Sequence, residues 1–329
     1  MAVMAQTPGG AVNPAKKSLL ALVTAACSEL GLAAPNSIIG NTDQQAIQLL
    51  ALANREGQQT FQEGTDIAGW QMLRKEYVFN IQSTGLISAN LVQNSNVINF
   101  NVTPTTAPQV GWVVSNSGSS YAGAFPYPTK ITAVNSPTQV VVSNVSSVTS
   151  SNTSIAFGQD TYPFPPDVDH LIPQTMWDRS FRWQLLGPLN PQEWQVLKSG
   201  ISPTGPRRRF RVIDGSFVVD PVPYDNNQIV YEYYSNAWVQ DGITLSLKTS
   251  FQADTDIYLL DDDTMILGII WRFRRAKGLD YDEEYQAWRN SVDRYKARQA
   301  TARSLPINAE STGIRLLNNM NVPDTGFGS

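Results

Sequence analysis

Thiol and imidazole chemistry have little to work with in this chain, which holds one cysteine, Cys27, and one histidine, His170. An intrachain disulfide and a histidine metal cluster are thereby excluded. Cys27 falls on the apolar stripe of a helical pattern, where a thiol behaves as a small hydrophobe. A catalytic dyad with His170 is therefore not expected. Charge is scarce as well: 16% of the residues are charged, against about a quarter in an ordinary domain. The formal net charge of −4 argues against a tight grip on nucleic acid, which needs concentrated Lys and Arg. No stretch reaches the roughly 18 apolar residues of a membrane span. Glycine-rich phosphate loops, zinc spacings and nucleophile elbows are missing, so no cofactor, no metal and no enzyme activity are expected.

What is present is a 42% hydrophobic chain of 329 residues, enough for one large or two smaller domains. Its polar character comes from Ser, Thr, Asn and Gln, which suits exposed β-structure and packed assemblies. The organising stretch is FQADTDIYLLDDDTMILGIIWRFRRAKGLDY, residues 251–281. Met265, Ile266, Ile269, Ile270 and Phe273 recur at helical spacing, with Leu267 and Trp271 as a second stripe, so this helix is expected between neighbours. Asp261, Asp262 and Asp263 precede it and Arg272, Arg274, Arg275 and Lys277 end it, complementing the helix dipole at roughly 0.3–1 kcal/mol per charge. Gly278 is the expected C-cap. A second amphipathic helix follows, carrying Tyr281, Tyr285, Trp288, Val292 and Tyr295.

Residues 1–14 read as a flexible N-terminal arm. The run KKSLLALVTAAC resembles a bacterial lipoprotein signal, but Thr24 stands where a leucine-like residue is preferred and fifteen residues precede Lys16. Leu19, Leu20, Val23, Cys27 and Leu30 share a face ahead of Gly31, so a core helix is expected. A second helix is predicted from about Thr42, as N-cap, to Glu63, with Ile47, Leu50, Ala51, Ala53 and Phe61 inward. Residues 84–159 hold no Asp, Glu or Arg, and Lys130 is their only charge. Short alternating runs at 96–102, 112–115, 130–134, 139–145 and 154–157 predict an inserted all-β module. Tyr77–Ile81 and Tyr162–Phe164 read as two sides of one motif that this module interrupts.

Beyond it, Asn190–Pro191 predicts a capped helix start. Asp214–Gly215 between Val212–Ile213 and Phe217–Val219 predicts a hairpin, and Ile229–Tyr234 a further strand. The fold class expected is α+β: a helical bundle with a small antiparallel sheet and an inserted all-β module. Its core comprises residues 15–83 and 160–303, its insertion residues 84–159. Residues 304–329 form an extended tail in which Ile314, Leu316, Leu317 and Met320 make an apolar patch suited to docking on a partner.

Two groups of residues invite a chemical reading. Asp254, Asp256 and Asp261–Asp263 are the one carboxylate cluster, but adjacent positions at a helix start point apart. A glycosidase needs two carboxyls facing across the substrate, so capping is the expected role. A virion-associated peptidoglycan hydrolase or glycan-binding protein is the alternative. RRRFR at 207–211 and WRFRR at 271–275 interleave basic and aromatic residues. In an acidic chain, Arg207, Arg209, Arg211, Trp271, Arg272 and Arg274 are expected to make inter-subunit or partner contacts.

Taken together, YPFPPDVDHLI, MWDRSFRWQLLGPLNPQEW, YEYYSNAWV and residues 251–281 resemble the head-to-tail adaptor (connector) proteins of tailed bacteriophages. The resemblance is to the tail accessory factor and tail tubular A type of short-tailed phages and covers about residues 15–82 and 160–303. The β module is a departure from the compact members. The resemblance implies a structural virion protein that assembles as a homo-oligomer, a dodecameric ring. That ring would bind the portal protein through the 304–329 tail and carry the tail nozzle or another tail protein. Genomic DNA would pass through the channel without specific binding, and no membrane would be involved.

Overall fold

The computed structural model describes residues 16–64, 69–115, 122–198 and 208–299. Five helices lie among them: α1 (Leu19–Leu30), α2 (Gln44–Glu63), α3 (Pro191–Lys198), α4 (Asp262–Ala276) and α5 (Asp282–Gln299). Their ends follow local chemistry. Ser18 caps α1 through its hydroxyl, which accepts from the Ala21 amide, and Gly31 closes it at φ 68°, a left-handed conformation that costs a residue without Cβ little. Asn190 and Glu193 cap α3 reciprocally, each side chain accepting from the other's amide at 2.8 and 3.0 Å, the capping-box arrangement. Asp261 caps α4 by accepting from the amide and hydroxyl of Thr264 at 3.0 and 2.8 Å. For α2 the cap is Asp43, not Thr42.

Helices α1, α2, α4 and α5 enclose one core. Leu19, Leu22, Val23, Ala26 and Cys27 of α1 meet Met265, Ile266, Ile269 and Ile270 of α4 there. Trp238 enters the same core edge-on to Phe251 and Tyr258. It lies so close to α2 that a Cβ at Gly57 would stand 2.2 Å from its ring. The inward face of α2 matches the predicted one at Ala53 and in part at Leu50 and Phe61, which pack half-buried against the core, but not at Ile47 and Ala51. Ala46, Leu49, Ala53, Glu56, Gly57 and Thr60 are buried, whereas Ile47 is exposed.

A second core is aromatic. The strand Gln228–Ser235 pairs antiparallel over seven residues with Arg74–Asn80, and on its other flank with Val168–Leu171 and Trp177–Asp178. Beneath this sheet lies another, of Thr161–Pro163, Ser216–Asp220 and Arg209–Ile213. Asp214 and Gly215 turn its hairpin at φ 48° and 62°, the paired left-handed geometry that matches strand twist. Phe79, Tyr162, Phe210, Phe217 and Tyr231 fill the space between the sheets. Tyr162 packs 4.8 Å from Phe79, and its hydroxyl accepts from the Gln82 amide, so the two sides of the interrupted motif meet.

Residues 84–159 build a five-stranded antiparallel sheet from 131–136, 139–142, 97–100, 87–91 and 150–155, around Ile98, Phe100, Val140 and Phe157. Its two connections run side by side, Gln159 N–H donating to the Gln82 carbonyl at 2.9 Å. Ser115 reaches out to the Val222 carbonyl, and Lys198, paired with Asp220 at 2.7 Å, lies over the Tyr127 ring.

A helical bundle with a small sheet is therefore not what forms. Among the described residues the architecture is mainly antiparallel sheet, eighteen strands in five sheets, with the helices attached to it. Eight of these strands are only two or three residues long, among them Trp177–Asp178, Val239–Gln240 and Ile257–Tyr258. These are too short to show the period-two alternation that marks a strand.

The side chain of Asp167 ties the sheet's edge strand to its centre. It accepts from Lys75 at 2.5 Å, Ser235 at 2.8 Å and Tyr233 at 3.1 Å. Burial alone would raise its carboxyl, but these donors outweigh it and hold the group below the usual range. A depressed acid contributes stability above the ordinary Asp value of about 3.9 and loses it as the pH falls through the folded value. Urea denaturation should therefore show Asp167→Asn less stable than wild type at pH 7, with the gap closing below about pH 4.

Candidate functional site

Ile314, Leu316, Leu317, Met320 and Arg207 lie outside the described residues. Arg209 and Arg211 stand half-buried on one strand, with no ion pair among the described residues. The α4 positions are engaged within the chain. Trp271 is buried against Tyr285 and Trp288. Arg274 donates to the Asp280 carbonyl at 2.8 Å and pairs with Glu284. Arg272 is 9% exposed and turned inward.

The partner of Arg272 is Glu56, which has no solvent contact. Arg272 Nε donates to Glu56 Oε2 at 2.8 Å and its Nη2 to Gln59 at 2.6 Å. Glu56 Oε1 accepts from Thr60 at 2.8 Å and from the Trp288 indole at 2.6 Å. One carboxylate thus joins α2, α4 and α5. Gly268, one turn before Arg272, makes room for it: a Cβ there would lie 2.1 Å from Glu56 Cδ. Burial pushes the Glu56 carboxyl above its ordinary range, against the pull of Arg272 and the hydrogen bonds from Thr60 and Trp288. Helical spacing from Ala53 and Thr60 was the available signal for an inward position 56. A hydrophobic count passes over it because the side chain is acidic.

Each member of the carboxylate cluster except Asp263 has a partner in the chain. Asp261 caps α4. Asp262 faces Lys16 and accepts from the Lys17 amide. Asp254 accepts from the amides of Ile38 and Ile39. Asp256 is fully buried and bonds Lys248 and the amides of Gln252 and Ala253. This is the arrangement of loop clamps rather than of two carboxyls facing across a cleft.

A second buried network holds an exposed turn. Within RRRFR it is Arg208 that points inward, its guanidinium donating to Asp178 at 2.7 Å and pairing with Asp225. Asp178 Oδ2 also accepts from Asn227 at 3.0 Å. Its other oxygen accepts from the amides of Ser180 and Phe181, each at 3.0 Å. The Ser180 hydroxyl accepts from the Gln228 amide. Fixed in this way, the turn presents Phe181 and Trp183, 46% and 39% exposed, stacked on each other at 5.6 Å and 28°. Arg182, between them, is exposed and has no ion pair among the described residues. Beside the turn is an open depression of about 480 Å³ whose lining includes Trp177, Arg179, Arg182 and the facing pair Glu76 and Glu232. Arg179 and Arg74 neutralise the two glutamates at 2.9 and 3.2 Å.

Among the described residues no group of three or more His, Cys, Asp or Glu side chains could hold a metal ion, and no helix is long and apolar enough to cross a membrane. A scan against protein-family models and a search of curated proteins return no match for this chain.

Removing Glu56 leaves a buried guanidinium unpaired, which costs about 3–5 kcal/mol. Glu56→Ala should lower the denaturation midpoint accordingly. Glu56→Leu combined with Arg272→Met should recover part of that loss, because a well-packed apolar pair substitutes for a buried ion pair at little cost, while the Trp288 indole N–H left without its acceptor retains about 1–3 kcal/mol of it. Equal loss in the single and double variants would show that the pair is not the joint.

Proposed function

We propose that this chain is a structural virion protein, the subunit of a ring-shaped head-to-tail adaptor between the portal and the tail nozzle of a tailed bacteriophage. The observation that carries this reading is what the most distinctive stretch, 251–281, does in the folded chain. Asp261 caps α4, Gly268 opens the space for Glu56, and Arg272 ties α4 to α2 through Glu56, which also holds Trp288 of α5. Gly278, at φ 71°, turns the chain into α5. The residues that carry the resemblance thus brace the helices, which is what a subunit under load in an assembly requires.

In this reading the copies assemble as a homo-oligomer, a dodecamer, at the head-to-tail interface. DNA passes along the channel without specific binding. The tail positions Ile314, Leu316, Leu317 and Met320 dock on the portal, and the nozzle or another tail protein attaches on the opposite side. The mild net negative charge of the chain suits a conduit through which a polyanion must slide.

Co-sedimentation of the purified chain with portal rings tests the reading. The full chain should bind, and deletion of residues 304–329 should weaken binding at least about tenfold, ~1.4 kcal/mol. A full chain that leaves the portal unbound, with virions intact after the deletion, would remove it. Peptidoglycan turnover abolished by Asp261→Ala would replace it with the hydrolase alternative.

A further inference from the structure

The turn that carries Phe181, Arg182 and Trp183 is a costly thing to leave in water. Two large aromatic rings stand exposed, and the backbone beneath them is held by a buried carboxylate that also bonds Arg208 and Asn227. Aromatic and arginine side chains on a rigid base are the usual makings of an interface hot spot, and rigidity before contact lowers the ordering cost of binding. The patch is basic and aromatic, so its complement should be acidic and aliphatic.

Among the described residues, a second exposed place offers that character. At the elbow between α4 and α5, Leu279 is 54% exposed, with Asp280, Asp282 and Glu283 exposed on its α5 side and Arg275 and Lys277 exposed on its α4 side, none of them in an ion pair among the described residues, so the acidic contact is confined to the α5 side. This elbow is rigid too. Leu279 N–H donates to the Arg274 carbonyl at 2.9 Å, Arg274 holds the Asp280 carbonyl, and Tyr281 packs on Trp271.

The two patches belong to different cores. The aromatic turn sits where the strand Gln228–Ser235 begins, about 23 Å along that strand from its end near the helices. The elbow is carried about 20 Å along α5 from Tyr295, which stacks on Trp70 ahead of the strand Arg74–Asn80. In a single chain both stand in solvent.

We infer that the Phe181–Trp183 turn of one copy docks on the Leu279–Glu283 elbow of the next, Arg182 meeting the carboxylates and the rings covering Leu279. The contact joins two different patches and is therefore heterologous, the type that gives a ring where the rotation between copies closes and a filament where it does not. It rests on the adaptor reading and names the surfaces through which the copies of that ring touch.

The test is a charge swap on the full chain, with assembly in the presence of portal followed by mass photometry and folding followed by circular dichroism. Arg182→Glu and Glu283→Arg should each keep the native spectrum and raise the concentration for half-assembly at least about tenfold. The two substitutions together should restore assembly toward wild type. Trp183→Ser should impair assembly without rescue by either charge change.

Singles that assemble like wild type would overturn the contact while leaving the adaptor reading in place. A wild-type chain that neither assembles nor binds portal would remove both. Stronger assembly of Arg182→Ser, which relieves like-charge repulsion only where two copies of the turn face each other, would point to turn-against-turn pairing and overturn the proposal. Loss of single-stranded DNA binding by Arg182→Glu with unchanged assembly would assign the turn to nucleic acid and overturn the proposal.

Discussion

A carboxylate without solvent contact sets the arrangement of the helical part of this protein. Glu56 accepts hydrogen bonds from Thr60 on its own helix, from Arg272 on α4 and from Trp288 on α5. A buried ion pair adds little net stability over a packed apolar pair, but it is unforgiving of displacement, because each partner left alone is a buried charge. Its physical effect is to select one register. If α4 slid by a residue, Gly268 would no longer stand where Glu56 needs space, and Arg272 would lose both acceptors.

The same device recurs in the sheet region. Asp178 and Arg208 join the Trp177–Trp183 hairpin to the 208–213 strand, with Asn227 and Asp225 completing the set. Asp167 does the equivalent for Lys75, Tyr233 and Ser235. In a chain with so few charges, those that are buried serve as joints between elements. The contiguous hydrophobic clusters supply the bulk of the stabilisation, and the joints decide how the clusters are oriented relative to one another.

The sequence exposes the parts of this design that depend on local rules. Asp261, Gly31, the Asn190–Glu193 capping box and the Asp214–Gly215 turn are legible because caps and turns need particular residues at particular offsets; the cap of α4 is Lys277, one residue before the expected Gly278. The strands of the 84–159 region show through alternation. The joints do not show, because their partners are distant: Glu56 and Arg272 are 216 positions apart. Arg208 looks like its neighbours Arg207 and Arg209 until the fold brings Asp178 beneath it. The balance of helix and sheet was misread for a related reason. Long periodic helices stand out in a sequence, whereas two-residue strands such as Val113–Val114 exist only by pairing with a distant segment, here Phe157–Gly158. The aromatic turn was legible as composition, but its exposure was not.

We propose that these joints brace the chain as a rigid part for an assembly. Electron cryo-microscopy of the chain mixed with purified portal tests it most directly. The account predicts a closed ring of copies coaxial with the portal, with each α4–α5 hairpin fixed in the same orientation. Separate single copies beside undecorated portal would contradict it.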